Sequence, residues 1–207
     1  MKEKLKGKFI VLDGPDGCGK STQCKLLAEW LSEKSIEIEI YRDPGATPIG
    51  EKIRQILLNP DNTAMTTEAE VLLYMAARAQ LLAEKIFPAL EKNKCVILDR
   101  WLSSTCAYQG FAGSFGMDKV IAIANDSLQR TWPDLTIILD VDLETAAPRL
   151  NATLDRMEQK GTDYHNKVRQ GFLKLAKNRK DVIVVDAAGD IQSVHRQVIE
   201  HVEKVFL

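Results

Sequence analysis

Short apolar runs alternate along the chain with longer stretches in which apolar residues recur every three or four positions. That alternation predicts strands and helices taken in turn around a parallel sheet. The runs Lys8–Asp13, Glu37–Arg42, Cys95–Asp99, Leu135–Val141 and Asp181–Asp186 have strand length. Helical spacing covers Ser21–Glu33, Ile49–Leu58, Thr67–Glu91, Met117–Leu128, Leu143–Thr153, Tyr164–Asn178 and Ile191–Val205. In the first of these, Cys24, Leu27 and Leu31 recur at helical spacing with Leu26 and Trp30. Asn59–Thr66 and Asn151–Asp163 are polar and read as surface excursions, and no internal repeat or linker interrupts the pattern. The expectation is an α/β fold in one domain, residues 1–207.

Between the first strand and the first helix stands Gly14-Pro15-Asp16-Gly17-Cys18-Gly19-Lys20-Ser21, a match to G-x-x-x-x-G-K-[ST]. Strand, glycine-rich loop and helix in that order form a phosphate-binding loop. Its backbone N–H groups and the helix N-terminus can cradle a polyphosphate, Lys20 can reach the β and γ oxygens, and the Ser21 hydroxyl can ligate Mg²⁺. The candidate donor-nucleotide residues are therefore Gly14, Gly17, Cys18, Gly19, Lys20, Ser21 and Thr22. In such folds ligands bind beyond the C-terminal ends of the strands. Three predicted strand ends there carry charge: Arg42-Asp43-Pro44-Gly45, Asp99-Arg100-Trp101 and Asp140-Val141-Asp142. Asp43 and Asp99 are candidate ligands for Mg²⁺, and Arg42 and Arg100 can grip a phosphate with two N–H groups.

Composition narrows the partners. At 207 residues, 45% hydrophobic, the chain can bury one sizeable core, and a net charge of −1 offers no bulk field for nucleic acid or a membrane surface. A small anionic ligand held by local charge fits better. Cys18, Cys24, Cys95 and Cys106 form no C-x-x-C pair and have no zinc spacing, so they read as reduced thiols of a cytosolic protein. The Lys-rich start is followed by the apolar run Phe9–Leu12 only, too short for a signal-peptide core, and no run approaches a transmembrane span. Cytoplasmic localisation is the expectation.

Tyr74 and Arg78 lie four residues apart on the third helical pattern, so they share a face and could offer an aromatic plane and a cationic fork to a base. The polar stretch Ser103 to Gly110 adds Gln109, an amide able to pair with a base edge. His165, His195 and His201 fall in C-terminal helical patterns away from every strand end and read as surface or packing residues.

Taken in order, these segments resemble the thymidylate kinase family, bacterial type. Arg42-Asp43-Pro44-Gly45-Ala46-Thr47-Pro48-Ile49-Gly50-Glu51 is similar to its R-E-P-G-G-T-x-x-G-E segment. Leu98-Asp99-Arg100 with Ala107-Tyr108-Gln109-Gly110 is similar to D-R-Y…A-Y-Q-G, and Asp155-Arg156-Met157-Glu158 with Val168-Arg169-Gln170-Gly171-Phe172 to D-R-x-E…V-R-x-G-Y. The resemblance implies a three-layer P-loop fold of the nucleoside monophosphate kinase type on a five-stranded parallel sheet, ATP with Mg²⁺ as donor, dTMP as acceptor, and a homodimer. It implies that Asp16 faces the sugar 3′-hydroxyl, that Arg42 and Arg100 hold the acceptor phosphate, and that Tyr74 stacks on thymine where the family has Phe. Arg78 and Gln109 would read the base edge, with Pro44, Trp101 and Ser104 also lining the acceptor site. Arg149 would lie against adenine, with Asp186–Gly189 as the adenine loop.

The chemistry is consistent with a monophosphate acceptor. Its phosphate is already a dianion near neutral pH and needs no general base, so cations, positioning and a lid suffice. Lys20, Arg100, Arg156 and Asp16 are the catalytic candidates, and the lid spans residues 151–161. Family members carry an additional arginine in the phosphate loop or the lid, but Pro15–Cys18 and Asn151–Leu154 contain none. Arg156 is therefore expected to meet charge on the transferring phosphoryl. Trp101 replaces a Tyr and is expected to press on the 2′ carbon of the sugar. Asp13 and Asp43 stand where the family has Glu. Two alternatives remain open at this point: a deoxynucleoside kinase, which would recruit Asp13 or Asp43 as a base, and a P-loop nucleotide-binding regulator. The regulator is weakened by Asn93-Lys94-Cys95-Val96, which lacks the Asp of a guanine-reading N-K-x-D.

Overall fold

The computed structural model describes residues 2–150 and 154–206. The elements run α1 Lys2–Leu5, β1 Phe9–Asp13, α2 Lys20–Glu33, β2 Ile38–Arg42, α3 Pro48–Leu58, α4 Thr67–Leu81 and α5 Phe87–Glu91. They continue as β3 Cys95–Asp99, α6 Leu102–Thr105, α7 Met117–Ser127, β4 Leu135–Asp140, α8 Leu143–Ala146, α9 Thr162–Asn178, β5 Val182–Asp186 and α10 Ile191–Phe206. The strands form one five-stranded parallel sheet in the order β2-β3-β1-β4-β5. All five predicted strands form, each within about a residue of its predicted limits.

The apolar runs are continuous because the central strands are covered on both faces. Alternate residues of β1 serve opposite cores: Ile10 and Leu12 pack with Leu27 and Leu31 of α2 and Val198 and Val202 of α10. Phe9 and Val11 pack instead with Val71 and Met75 of α4 and Val120 and Ala124 of α7. These are the three layers. After β1 the chain builds β2 and β3 on one side, then crosses to build β4 and β5 on the other. The loop after β1 therefore opens at the point where the winding reverses, the position at which α/β sheets bind ligands.

Two helical expectations need correction. The predicted helix Thr67–Glu91 is helical throughout but carries a π-helical turn at Leu82–Ile86 before α5. Pro88 lacks an N–H and its ring would clash with the carbonyl of Glu84, and the wider turn accommodates both. The predicted helix Leu143–Thr153 stops early, as α8 plus one 3₁₀ turn at Ala147–Arg149, where Pro148 cannot donate to continue the ladder. Its predicted end, Asn151–Thr153, lies outside the described residues. The polar stretch from Ser103 is helical: α6 passes into a π-helix at Cys106–Ala112, buried along most of its length. Among the described residues no helix is long and apolar enough to cross a membrane.

Candidate active site

The loop Gly14–Gly19 turns tightly because its backbone has little room for side chains. A Cβ on Gly14 would sit 2.4 Å from the Leu139 carbonyl oxygen, and one on Gly17 would sit 2.5 Å from that of Ala146. Gly19, at φ +93°, precedes the first turn of α2, which carries no acidic residue to repel an anion from the helix N-terminus. The Lys20 ammonium folds over the loop, donating to Pro15 O at 2.7 Å and Gly14 O at 3.2 Å. Ser21 Oγ donates to Asp99 Oδ2 at 2.5 Å, so a hydroxyl from α2 and a carboxylate from the end of β3 meet beside the phosphate loop.

A cleft of about 1130 Å³ runs from this loop across the strand ends. Every site residue chosen from the sequence lines it except Gly14, Trp101 and Arg156. Six cationic side chains face it: Lys20, Arg42, Arg54, Arg78, Arg100 and Arg149. No histidine lines it.

Arg100 is held in a conformation most side chains avoid. Its φ is +71°, a left-handed backbone that costs roughly 1 kcal/mol or more for a residue other than glycine. Its N–H donates to Leu12 O at 3.0 Å, and its guanidinium donates to Gly14 O and Ser104 Oγ at 3.0 Å each and pairs with Asp16. Tyr108 donates to the other Asp16 oxygen at 2.6 Å. Burial alone would raise the Asp16 carboxyl, but Arg100, Lys20 and the Tyr108 hydroxyl outweigh it and hold the group below its ordinary range. Burial likewise works against the Arg100 charge, yet Asp16, Tyr108 and Asp13 keep its pKa well above the ordinary value.

Behind this pair Asp13 acts as a buttress. Fully buried, it accepts from Gly14 N at 2.9 Å, Ser103 Oγ at 2.5 Å and Ser104 Oγ at 2.7 Å. Its oxygens are used by the loop and α6. Asp43 is half engaged: it is 2% exposed, its Oδ2 takes Arg78 Nε at 2.7 Å, and its Oδ1 is buried without a hydrogen-bond partner. Burial pushes its carboxyl up in spite of Arg78. Arg78 thus occupies one of the two oxygens with which Asp43 was expected to ligate Mg²⁺. Arg78 also donates to Trp101 O at 2.9 Å while lining the cleft.

Two further expectations are overturned. The Trp101 ring is 0% exposed, packs edge-on against Phe9 at 5.4 Å and donates from its indole N–H to Thr131 O at 2.8 Å. It lies in the core, turned away from the cleft. Arg156 does not face the phosphate loop. It donates to Glu70 Oε1 at 2.5 Å and Leu57 O at 2.8 Å. The lid expected at 151–161 is described only from Leu154, and Asn151, where a restoring arginine would be placed, lies outside the described residues.

Other lining residues escaped the sequence reading. Arg54 donates to Pro44 O at 3.0 Å, and Arg42 pairs with both oxygens of Glu51 at 3.0 and 3.1 Å. Thr105 lines the cleft with a buried hydroxyl that has no partner. The hydroxyl's position in an otherwise polar run, Ser103-Ser104-Thr105, was the available signal. At the far end Arg149 donates to Ala187 O at 3.1 Å and Ala188 O at 3.5 Å, gathering the loop after β5 to the cleft.

The family model for thymidylate kinase matches residues 12–198. The chain belongs to the thymidylate kinase family. The thymidylate kinase of Thermoanaerobacter sp. (strain X514) is 42% identical over 202 residues, covering 97% of this chain and 99% of that protein. That of Caldanaerobacter subterraneus subsp. tengcongensis is 40% identical over 202 residues, with 97% of each chain covered. That of Geobacillus sp. (strain WCH70) is 39% identical over 200 residues, with 94% of this chain and 95% of that protein covered. The sheet order and phosphate loop are thus those of a thymidylate kinase family member in which the buried ion pairs Asp43–Arg78 and Glu70–Arg156 lie beside the cleft.

Proposed function

We propose that this chain transfers the γ-phosphoryl of ATP to dTMP, giving dTDP and ADP. The observation that carries the reading is a ring of cations around the cleft, beside which the Asp13 and Asp16 carboxylates are already engaged. Of the two carboxylates that a hydroxyl-phosphorylating enzyme would recruit, Asp13 is saturated by the loop and α6 and Asp43 is paired with Arg78. Asp16, depressed by Arg100, is a poor base as well. A phosphate dianion brings its own nucleophile and calls on none of these carboxylates. This disfavours the deoxynucleoside kinase.

In the proposed reaction, Lys20 and the α2 N-terminus hold the donor phosphates, while Arg100 and Arg42 hold the acceptor phosphate. Arg78, Gln109 and Tyr74 receive the base, and Arg149 with the loop after β5 receives adenine. The Ser21–Asp99 oxygen pair fits Mg²⁺, a hard cation that neutralises phosphate charge when bound with ATP. Fixed donors in a confined site stabilise developing charge more than they would in water.

A coupled assay of ATP with dTMP, dUMP, the ribonucleotide of thymine, dAMP and thymidine tests the reading. Turnover of dTMP should lead. Faster turnover of thymidine than of dTMP would reverse the assignment. We further propose a single-domain chain acting as a cytoplasmic homodimer. Exposed Ile49 and Ile56, one face of α3, and Leu72 on the adjoining α4 offer apolar surface for the pairing, and light scattering decides it.

A further inference from the structure

Glu70 stands on α4, four residues before Tyr74 and eight before Arg78, on the face that looks toward the base end of the cleft. It is 3% exposed and does not line the cleft itself. A carboxylate so buried is tolerated only with partners. Glu70 has them from two other parts of the chain. Its Oε1 accepts from Arg156 Nη1 at 2.5 Å and lies 3.8 Å from Lys160 Nζ, both on the segment after Leu154. Its Oε2 accepts from Gln109 Nε2 at 2.8 Å, from the π-helix that follows α6.

Each partner is fixed by the contact. With its nitrogen on the carboxylate, the Gln109 amide has one orientation, since the flipped amide would set oxygen against oxygen. Glu70 therefore decides which edge Gln109 turns to the cleft. On the other side Arg156 spans the end of α3, with Nε donating to Leu57 O at 2.8 Å and its backbone N–H to Leu58 O at 3.1 Å. Arg156 thus ties the segment to α3 and α4 through Nε and Nη1, while its Nη2 is buried without a partner.

We propose that Glu70 is a positioning residue that couples acceptor-base recognition to the segment 154–160, hereafter the lid: one buried carboxylate sets the Gln109 amide and tethers Arg156. The proposal rests on the reading that dTMP is the acceptor. It assigns Arg156 to acceptor binding through Glu70, and not to charge on the transferring phosphoryl. Coupling of this kind is reciprocal, so whatever loosens Arg156 weakens dTMP by the factor with which dTMP orders the lid.

Glu70→Gln keeps the size and removes the charge. It should raise the dTMP KM roughly tenfold or more, lower kcat less than about threefold and leave the ATP KM within about twofold. Gln109→Ala should do the same, and the double variant should be no worse than the poorer single one, because both cut one path. If Glu70→Gln does not fold, Arg156→Met, which keeps the alkyl packing, should raise the dTMP KM by a similar factor. An independent readout is tryptic cleavage after Arg156 and Lys160: saturating dTMP should slow it in the wild type but not in Gln109→Ala. A Glu70→Gln enzyme with unchanged dTMP KM, multiplying effects in the double variant, or equal protection in Gln109→Ala would each overturn the coupling. Calorimetry separates the two levels of failure. Wild type that binds no dTMP sinks the acceptor assignment and the coupling together, whereas wild type and Glu70→Gln binding dTMP equally well sink the coupling alone.

Discussion

On the proposed donor side of the cleft the lining is backbone, with Gly14–Gly19 and the first turn of α2 forming the cradle and Lys20 laid across it by contacts five and six residues away. On the proposed acceptor side the lining is side chains fixed by buried charge pairs, Asp43–Arg78 and Glu70–Arg156, whose members are 35 and 86 residues apart. The difference teaches where each site keeps its stability. A backbone cradle is made by the fold and can lose a side chain without losing shape. A buried pair is part of the fold, and removing one member strands the other.

The largest effect should therefore come from Asp43→Ala. It leaves Arg78, itself 0% exposed, charged and unpaired, at a cost of about 3–5 kcal/mol in stability. Denaturant titration reads this directly, and a loss under about 1 kcal/mol would erase the contrast. Lys20→Ala should behave in the opposite way. Turnover falls on the order of a hundredfold or more while the denaturation midpoint barely moves, because the lysine stabilises charge in the reaction and not the packed chain. Near-normal turnover would remove the phosphate-loop assignment.

The same difference explains what could be read from sequence. The donor side is contiguous, so eight neighbouring residues between a strand and a helix disclose both the fold and the loop chemistry. Strand limits were legible because each central strand is buried on both faces and reads as an unbroken apolar run. Glu70 was not legible, because nothing near it in sequence shows that Gln109 and Arg156 will meet it. Trp101 misled for a backbone reason: the left-handed turn at Arg100 sends the next side chain into the core beside Phe9. The family resemblance named residues expected at the acceptor site but not which of them are paired with one another.

Trp101→Phe sharpens that point at smaller scale. The indole hydrogen bond to Thr131 O at 2.8 Å is lost and a small void opens, for about 1–2 kcal/mol of stability. Because the ring faces the core, discrimination against a 2′-hydroxyl should be unchanged. A variant that gained turnover of the ribonucleotide would return Trp101 to the site.

The smallest effect is a difference in sign between two carboxylates. Asp16 is depressed in the folded state, so the unfolded chain binds its proton more readily, and stability from the Arg100 pair is present above about pH 4 and lost as pH falls through the folded value. Asp43 is raised by burial, so the folded chain binds its proton more readily, and its contribution improves as pH falls from neutral toward the ordinary carboxylate range. Melting temperatures of wild type, Asp16→Asn and Asp43→Asn between pH 7 and about pH 4, and slightly below where the fold survives, separate the two. The advantage of wild type over Asp16→Asn should shrink at the acid end, whereas its standing against Asp43→Asn should improve as pH drops. Parallel curves for the two variants would mean that Asp16 and Asp43 sit in equivalent surroundings, and the division between a loop-borne and a pair-borne side of the cleft would not extend to their charges.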